Sequence, residues 1–362
     1  MAERRLPVNY PFVTTYPQPT NIIAMLSMHD AFYPWFYSNH IQLKCSHKPY
    51  ALDLLIYPDN IQRVCPVLDY QHLTRESLAR WFPSIVAFVR DSIDNGLYFQ
   101  ATVNSYYIQA YPYYYRQYHR FHEIFIFGYD TRLEIFYAAD FFAGGKYEFR
   151  EIPFAEFEQA YVSVDERNDG RIDYEHAAST DLNNHLSGIE LLRFNARSVF
   201  HAKRPYTVDI GNIADVLEDY MLARNTSKKY TAFENASPDH FGMSIYAMLV
   251  RHVELVQRKD DVSCDVRSFH LLAEHKKIMF MRMQYLGETG VYANAARYLE
   301  KLKEIETQSQ KLRNIAIKYR ISGNKRVLEH AASALLSMAD SEREVLSSIQ
   351  IELAQLAEQR SG

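Results

Sequence analysis

The sequence predicts an α+β protein in which helices and an antiparallel sheet come first and an all-α helical bundle follows. Three observations carry that prediction. Most of the 28 Tyr and 21 Phe fall in the first half, where aromatic and β-branched residues alternate with short polar breaks in the manner of strands. Turn signals punctuate that stretch at Asp94-Asn95-Gly96, Tyr129-Asp130-Thr131-Arg132 and Gly144-Gly145, so the strands read as a meander. From about Val208 onward apolar residues recur at helical spacing.

Taken in order, residues 36–43 and 77–92 carry helix-like spacing, and Pro34 suits the first turn of the former. Strands are expected near 97–104, 121–128, 133–139 and 146–150. Beyond them Ile210, Ile213, Val216, Leu217 and Tyr220 form one stripe, and similar stripes cover 240–257, 268–286, 291–320 and 324–358. Five such helices with short breaks imply a bundle. In the last, the charged residues between Leu335, Met338, Leu346 and Leu353 read as a solvated face. The expected domains are 1–205 and 206–362.

A chain of 362 residues, 48% hydrophobic and 23% charged, suits two domains of about 100–200 residues and can bury a core. Forty Lys+Arg against 44 Asp+Glu leave a net charge of −4, so no global basic excess attracts nucleic acid. Cys45, Cys65 and Cys264 show neither CxxC spacing nor His partners at zinc-ligand spacing, which argues against a disulfide framework and a structural zinc site. A reducing, cytoplasmic compartment is expected. The N-terminus lacks the apolar core of a signal peptide, and no segment reaches about 18 uninterrupted apolar residues. A soluble protein, neither exported nor membrane-bound, is the expectation.

Residues 165–176 resemble a calcium loop, with Gly170 in the sixth position, but Arg167 and His176 stand where ligands belong. A solvated turn is expected there. His119 and His122 are three apart, a spacing that sends strand side chains to opposite faces, so no metal site is expected of them. His122 pairs more naturally with Asp140. A strand over 124–127, the turn Gly128-Tyr129-Asp130 and a return strand over 133–137 can bring the two together. Such a carboxylate orients the imidazole and stabilises its protonated form, as a general base requires; a structural His–Asp hydrogen bond accounts equally for the spacing. The tyrosine run 111–118, with Arg116 and Arg120 nearby, could stack bases or ring substrates. Aromatic core and a cleft wall fit better, because the basic charge of a nucleic-acid binder is absent.

The order of motifs is distinctive. Asp94-Asn95-Gly96-Leu97-Tyr98, then Val103-Asn104-Ser105-Tyr106-Tyr107, then His119-Arg120-Phe121-His122-Glu123-Ile124 running to Gly128-Tyr129-Asp130 resembles the N-terminal domain of the butirosin biosynthesis protein H family over roughly residues 20–165. Within it, the HxIxxxGYD pattern followed by a strand and Asp140 looks like the His/Asp half of papain-like folds. A weaker likeness covers His270-Leu271-Leu272-Ala273-Glu274-His275-Lys276-Lys277, Arg282 and Tyr285-Leu286, similar to a segment in relatives found beside peptide-synthetase genes.

The resemblance implies a papain-like domain that transfers an acyl, aminoacyl or peptidyl group from a carrier-protein thioester, by transfer, cyclisation or release. The implied setting is non-ribosomal-peptide-like antibiotic biosynthesis. The implied partners are an acyl- or peptidyl-carrier protein and a small-molecule or peptide acceptor, with no cofactor and no metal. His122 takes the base role, Asp140 the orienting role, and Asn104, Tyr106 and Tyr107 line the substrate; relatives often carry an acidic residue at the position of Asn104. The family's nucleophile is a cysteine at the start of the first helix, yet the segment expected to hold it, 29–43, has none. Ser38 could replace the thiol, although serine needs more help from its base. Cys45 could serve, although it would sit at the far end of the expected helix. The third resolution is that no nucleophile exists and the domain is a catalytically silent scaffold that holds a carrier protein or positions two substrates.

Overall fold

The expected α+β class is observed, and the aromatic stretch does form an antiparallel sheet. The computed structural model describes residues 2–48, 51–57, 61–165, 188–196, 206–229 and 240–361. In chain order the described elements begin with β1 (Glu3–Arg5), α1 (Pro17–Leu26), α2 (Phe32–Asn39), β2 (Gln42–Lys48), β3 (Ala51–Tyr57), α3 (Ile61–Val64), β4 (Leu68–Thr74), α4 (Arg75–Trp81), α5 (Ile85–Asp94) and β5 (Tyr98–Asn104). They continue with β6 (Phe121–Asp130), β7 (Ile135–Ala143), β8 (Lys146–Pro153), α6 (Phe154–Val162) and β9 (Gly188–Phe194). The remainder are α7 (Ile210–Met221), β10 (His240–Phe241), α8 (Ser244–Arg258), α9 (Val266–Glu288), α10 (Ala296–Ser322) and α11 (Ala331–Ser361). The calcium-like loop lies almost wholly in 166–187, outside the described residues.

The chain divides into two compact units, Met1–Asp30 with Cys65–Lys203, and Ala31–Val64 with Arg204–Gly362. The expectation that all of 1–205 forms one domain needs correction, because residues 31–64 are held by the C-terminal helices. β10 pairs with β2, which pairs with β3. The buried Arg282 guanidinium on α9 donates to the carbonyls of Tyr37 (2.7 Å) and His40 (2.5 Å), and His275 Nε2 lies 2.6 Å from the Ile41 carbonyl. These contacts end α2 at Asn39 and turn the chain into a strand, where the sequence pattern suggested a helix through Leu43.

In the first unit the strand order is β4-β9-β5-β6-β7-β8, with β1 added beside β6. Gly128 is required by that addition: a Cβ there would sit 2.6 Å from the Arg4 carbonyl. The rest of the GYD motif is structural as well. Tyr129 donates to Asp94 (2.8 Å), and Asp130 accepts from the backbone of Arg132 (2.7 Å) to set the turn. The helix expected over 77–92 is two helices, because Pro83 breaks the run and Ser84 caps α5 by accepting from Ala87 N.

Alternation of side chains gives the sheet two distinct faces. On one, Gln100, Glu123 and Glu190 meet α1, whose Asn21 donates to Gln100 (2.8 Å) and accepts from Tyr147 (2.8 Å). On the other, Phe99 packs edge-to-face on Phe88 of α5 and Phe157 of α6. The second face carries His122, paired across the strands with Val103.

In the second unit the expected helical stripes become α7 to α11 with little displacement. Their buried centre is polar: Lys276 on α9 reaches both carboxylate oxygens of Glu342 on α11, at 2.7 and 2.8 Å, and Tyr246 donates to the same carboxylate (2.6 Å). Lys276 of the Glu274–Lys277 segment thus ties α9 to α11. Among the described residues no helix is long and apolar enough to cross a membrane.

Candidate active site

β6 and β7 are joined by the turn that follows Asp130, so the start of one strand lies beside the end of the other. His122 and Asp140 therefore meet, with Nδ1 2.6 Å from Oδ2. The phenol of Tyr111 donates to the same oxygen. Asp140 is completely buried and its Oδ1 has no hydrogen-bond partner. The imidazole keeps 18% of its side-chain surface exposed, so the pair is buried at the carboxylate and open at the ring.

Electrostatics follow from that asymmetry. Burial alone would lower the imidazole pKa, but the Asp140 carboxylate and its hydrogen bond outweigh it and hold His122 above its ordinary value. Asp140 fixes Nδ1, which leaves Nε2 as the atom able to exchange a proton with a ligand. Among the described residues no hydroxyl or thiol hydrogen-bonds to that nitrogen.

The expected nucleophiles are committed elsewhere. Ser38 belongs to the second unit, is fully buried, donates to the Pro34 carbonyl (2.6 Å) and accepts from Asp209 N (2.9 Å). Both of its hydrogen-bonding directions are used. Cys45 lies on β2, not at a helix end, and is fully buried. The first unit has one cysteine, Cys65, whose thiol burial pushes up to about 12. The first helix, α1, carries one hydroxyl residue, Thr20, with no exposed surface, and its Asn21 faces the sheet side opposite His122.

The three expected substrate contacts fare differently. Asn104 is fully buried and structural: it donates to the Ser163 carbonyl (3.0 Å), lies 2.8 Å from His119 Nδ1 and caps a short turn through Tyr106 N. Tyr106 stacks on His119 at 4.2 Å, and Tyr106 and Tyr107 are half-buried at the root of the 105–120 loop. His119 and His122 thus have separate partners, and among the described residues no cluster of metal-ligating side chains occurs. The tyrosine run divides its labour: Tyr111 is core and touches His122, whereas Tyr113 is 63% exposed.

The opposite sheet face carries a second titratable group that spacing did not reveal. Gln100 Nε2 bridges Glu190 (3.0 Å) and Glu123 (3.4 Å). Burial, reinforced by the charge of Glu190, raises Glu123 to about 7. Its partner lies 67 positions away in a strand the sequence pattern did not disclose, so only the unusual placement of Glu123 between apolar strand residues hinted at it. Tyr111 was likewise hidden, since nothing local marks one tyrosine in a run of them as the partner of Asp140. No protein-family model and no curated protein matches this chain.

Proposed function

We propose that the first unit is a papain-like acyl-handling domain of the cytoplasm that transfers a carrier-bound acyl, aminoacyl or peptidyl group in specialised-metabolite biosynthesis. His122 acts as general base on an acceptor supplied by the substrate. The observation that supports this reading is an imidazole tied to a buried carboxylate through Nδ1, with a half-buried ring whose Nε2 is unengaged among the described residues. An acceptor amine or hydroxyl attacks the thioester carbonyl while Nε2 takes its proton. The C–S bond then breaks, and the imidazolium returns the proton to the departing thiolate. Asp140 holds the ring and stabilises its cationic form, and Tyr111 holds Asp140.

This route uses neither Ser38 nor Cys45, whose surroundings suit packing. The test is His122→Ala, expected to lower turnover by about 10²-fold or more while carrier affinity holds. Unchanged turnover would favour the scaffold reading, which the lack of a hydroxyl or thiol bonded to His122 among the described residues also supports.

A further inference from the structure

Residues 105–120 contain seven tyrosines, two arginines and no acidic residue, in a chain with 44 Asp+Glu. Arg116 has a φ of +58°, a left-handed conformation that a bulky residue keeps only where its surroundings impose it. Its backbone N–H donates to the Tyr106 carbonyl (3.0 Å). Its guanidinium carbon sits 5.9, 5.7 and 5.5 Å from the ring centres of Tyr106, Tyr107 and Tyr115. The side chain is nonetheless exposed. Arg120 is held in the same manner over the Tyr114 ring at 5.0 Å and donates to its hydroxyl.

Several arginines of the unit meet carboxylates, as Arg150 does Glu148, Arg193 Asp69 and Arg132 Asp130, whereas Arg75 and Arg90 lie over the rings of Tyr161 and Tyr129. Among the described residues no carboxylate pairs with Arg116 or Arg120. Two acids reach the loop, and both are occupied: Glu156 at Gln109 N (2.9 Å) and Asp140 at Tyr111 and His122. Rings hold a guanidinium by cation–π attraction without neutralising it, so its planar fork stays available to an oxyanion.

We propose that Arg116 and Arg120 form a phosphate-binding site, and that its ligand is the phosphate ester of the pantetheine arm that carries the acyl group. The loop sits beside the reacting centre, because Tyr111 of the same loop donates to Asp140 and Arg120 precedes His122 by two residues. The charge of Arg120 is felt at His122, where it opposes protonation. The identity of the donor rests on the acyl-transfer reading; the anion site does not.

The test is titration of the full chain with inorganic phosphate, pantetheine 4′-phosphate and pantetheine, followed by calorimetry and by NMR of the loop tyrosines. Pantetheine 4′-phosphate is expected to bind at least about tenfold tighter than pantetheine, the usual scale for charge-assisted hydrogen bonds. Arg116→Gly, which removes the cation while tolerating the positive φ, should abolish that preference, as should Arg120→Gln. Equal binding of the two pantetheines, or a preference that survives both substitutions, would overturn the site. Tighter binding of a short single-stranded oligonucleotide than of pantetheine 4′-phosphate would overturn the ligand assignment. Should the phosphate preference appear with no acyl transfer under any condition, the site stands and the transferase reading falls; His122-dependent transfer with no phosphate preference gives the reverse.

Discussion

Tyr111 and His122 converge on one oxygen of Asp140, the imidazole from 2.6 Å. Two donors on Oδ2 lock the carboxylate, and through it the ring, so the aromatic loop and the half-buried imidazole are mechanically one piece. The tyrosine also disperses the carboxylate's negative charge, which tempers its pull on the imidazolium proton.

The first prediction follows. Tyr111→Phe should raise the pKa of His122, because it removes one of the two donors that disperse the Asp140 charge. An NMR titration of His122 reads it directly. A fall in the pKa would mean that Tyr111 does not donate to Asp140.

Glu123 makes stability depend on pH in a definite direction. Its carboxyl is raised to about 7 in the folded protein by burial and by Glu190, so the folded state binds the extra proton. That contribution is complete below the ordinary carboxylate range and is lost as pH climbs through about 7. Glu123→Gln should therefore stabilise the protein at pH 8 by on the order of 3 kcal/mol and leave it nearly unchanged at pH 4. Urea unfolding at the two values checks this; equal effects at both would remove the buried-acid account.

Lys276 and Glu342 are each 1% exposed and paired. Glu342→Ala leaves a buried ammonium without its counter-charge and should cost about 3–5 kcal/mol. Lys276→Met/Glu342→Met, which removes both charges, should lose much less. Thermal unfolding of the single and double variants separates the two cases.

A truncation after residue 205 should not yield a well-behaved first domain. It keeps 31–64 but removes Arg282, His275 and β10, which satisfy the carbonyls of Tyr37, His40 and Ile41 and the edge of β2. The truncated chain should expose apolar surface, bind a hydrophobic dye and aggregate; a monodisperse, cooperatively folding product would contradict the division into units.

Sequence legibility tracked how local the determinants are. β5 to β8 were read to within a few residues because alternation and turn residues act locally, and the same holds for the amphipathic stripes of α7 to α11. β2 and β3 are not legible locally, because the contacts that end α2 before β2 come from side chains of α9 more than 200 positions away. α1 was missed too, its run Asn21-Ile22-Ile23-Ala24-Met25-Leu26 being buried on every side and so lacking an amphipathic period. His122 and Asp140 were found because one short turn relates them. Tyr111, Glu190 and the commitment of Ser38 depend on contacts across 29, 67 and 171 positions, which periodicity does not encode.

In the proposed reaction His122 activates an acceptor brought by the substrate, and no nucleophile of the protein takes the acyl group. Intact-mass analysis of the full chain, exposed to acyl-loaded carrier protein with and without an amine acceptor, tests it most directly. The account predicts no acyl adduct on the protein, acylated acceptor when the amine is present, and loss of that product by about 10²-fold in His122→Ala but not in Ser38→Ala/Cys45→Ala. A stable adduct that disappears with Ser38→Ala or Cys45→Ala, or transfer that persists undiminished in His122→Ala, would contradict it.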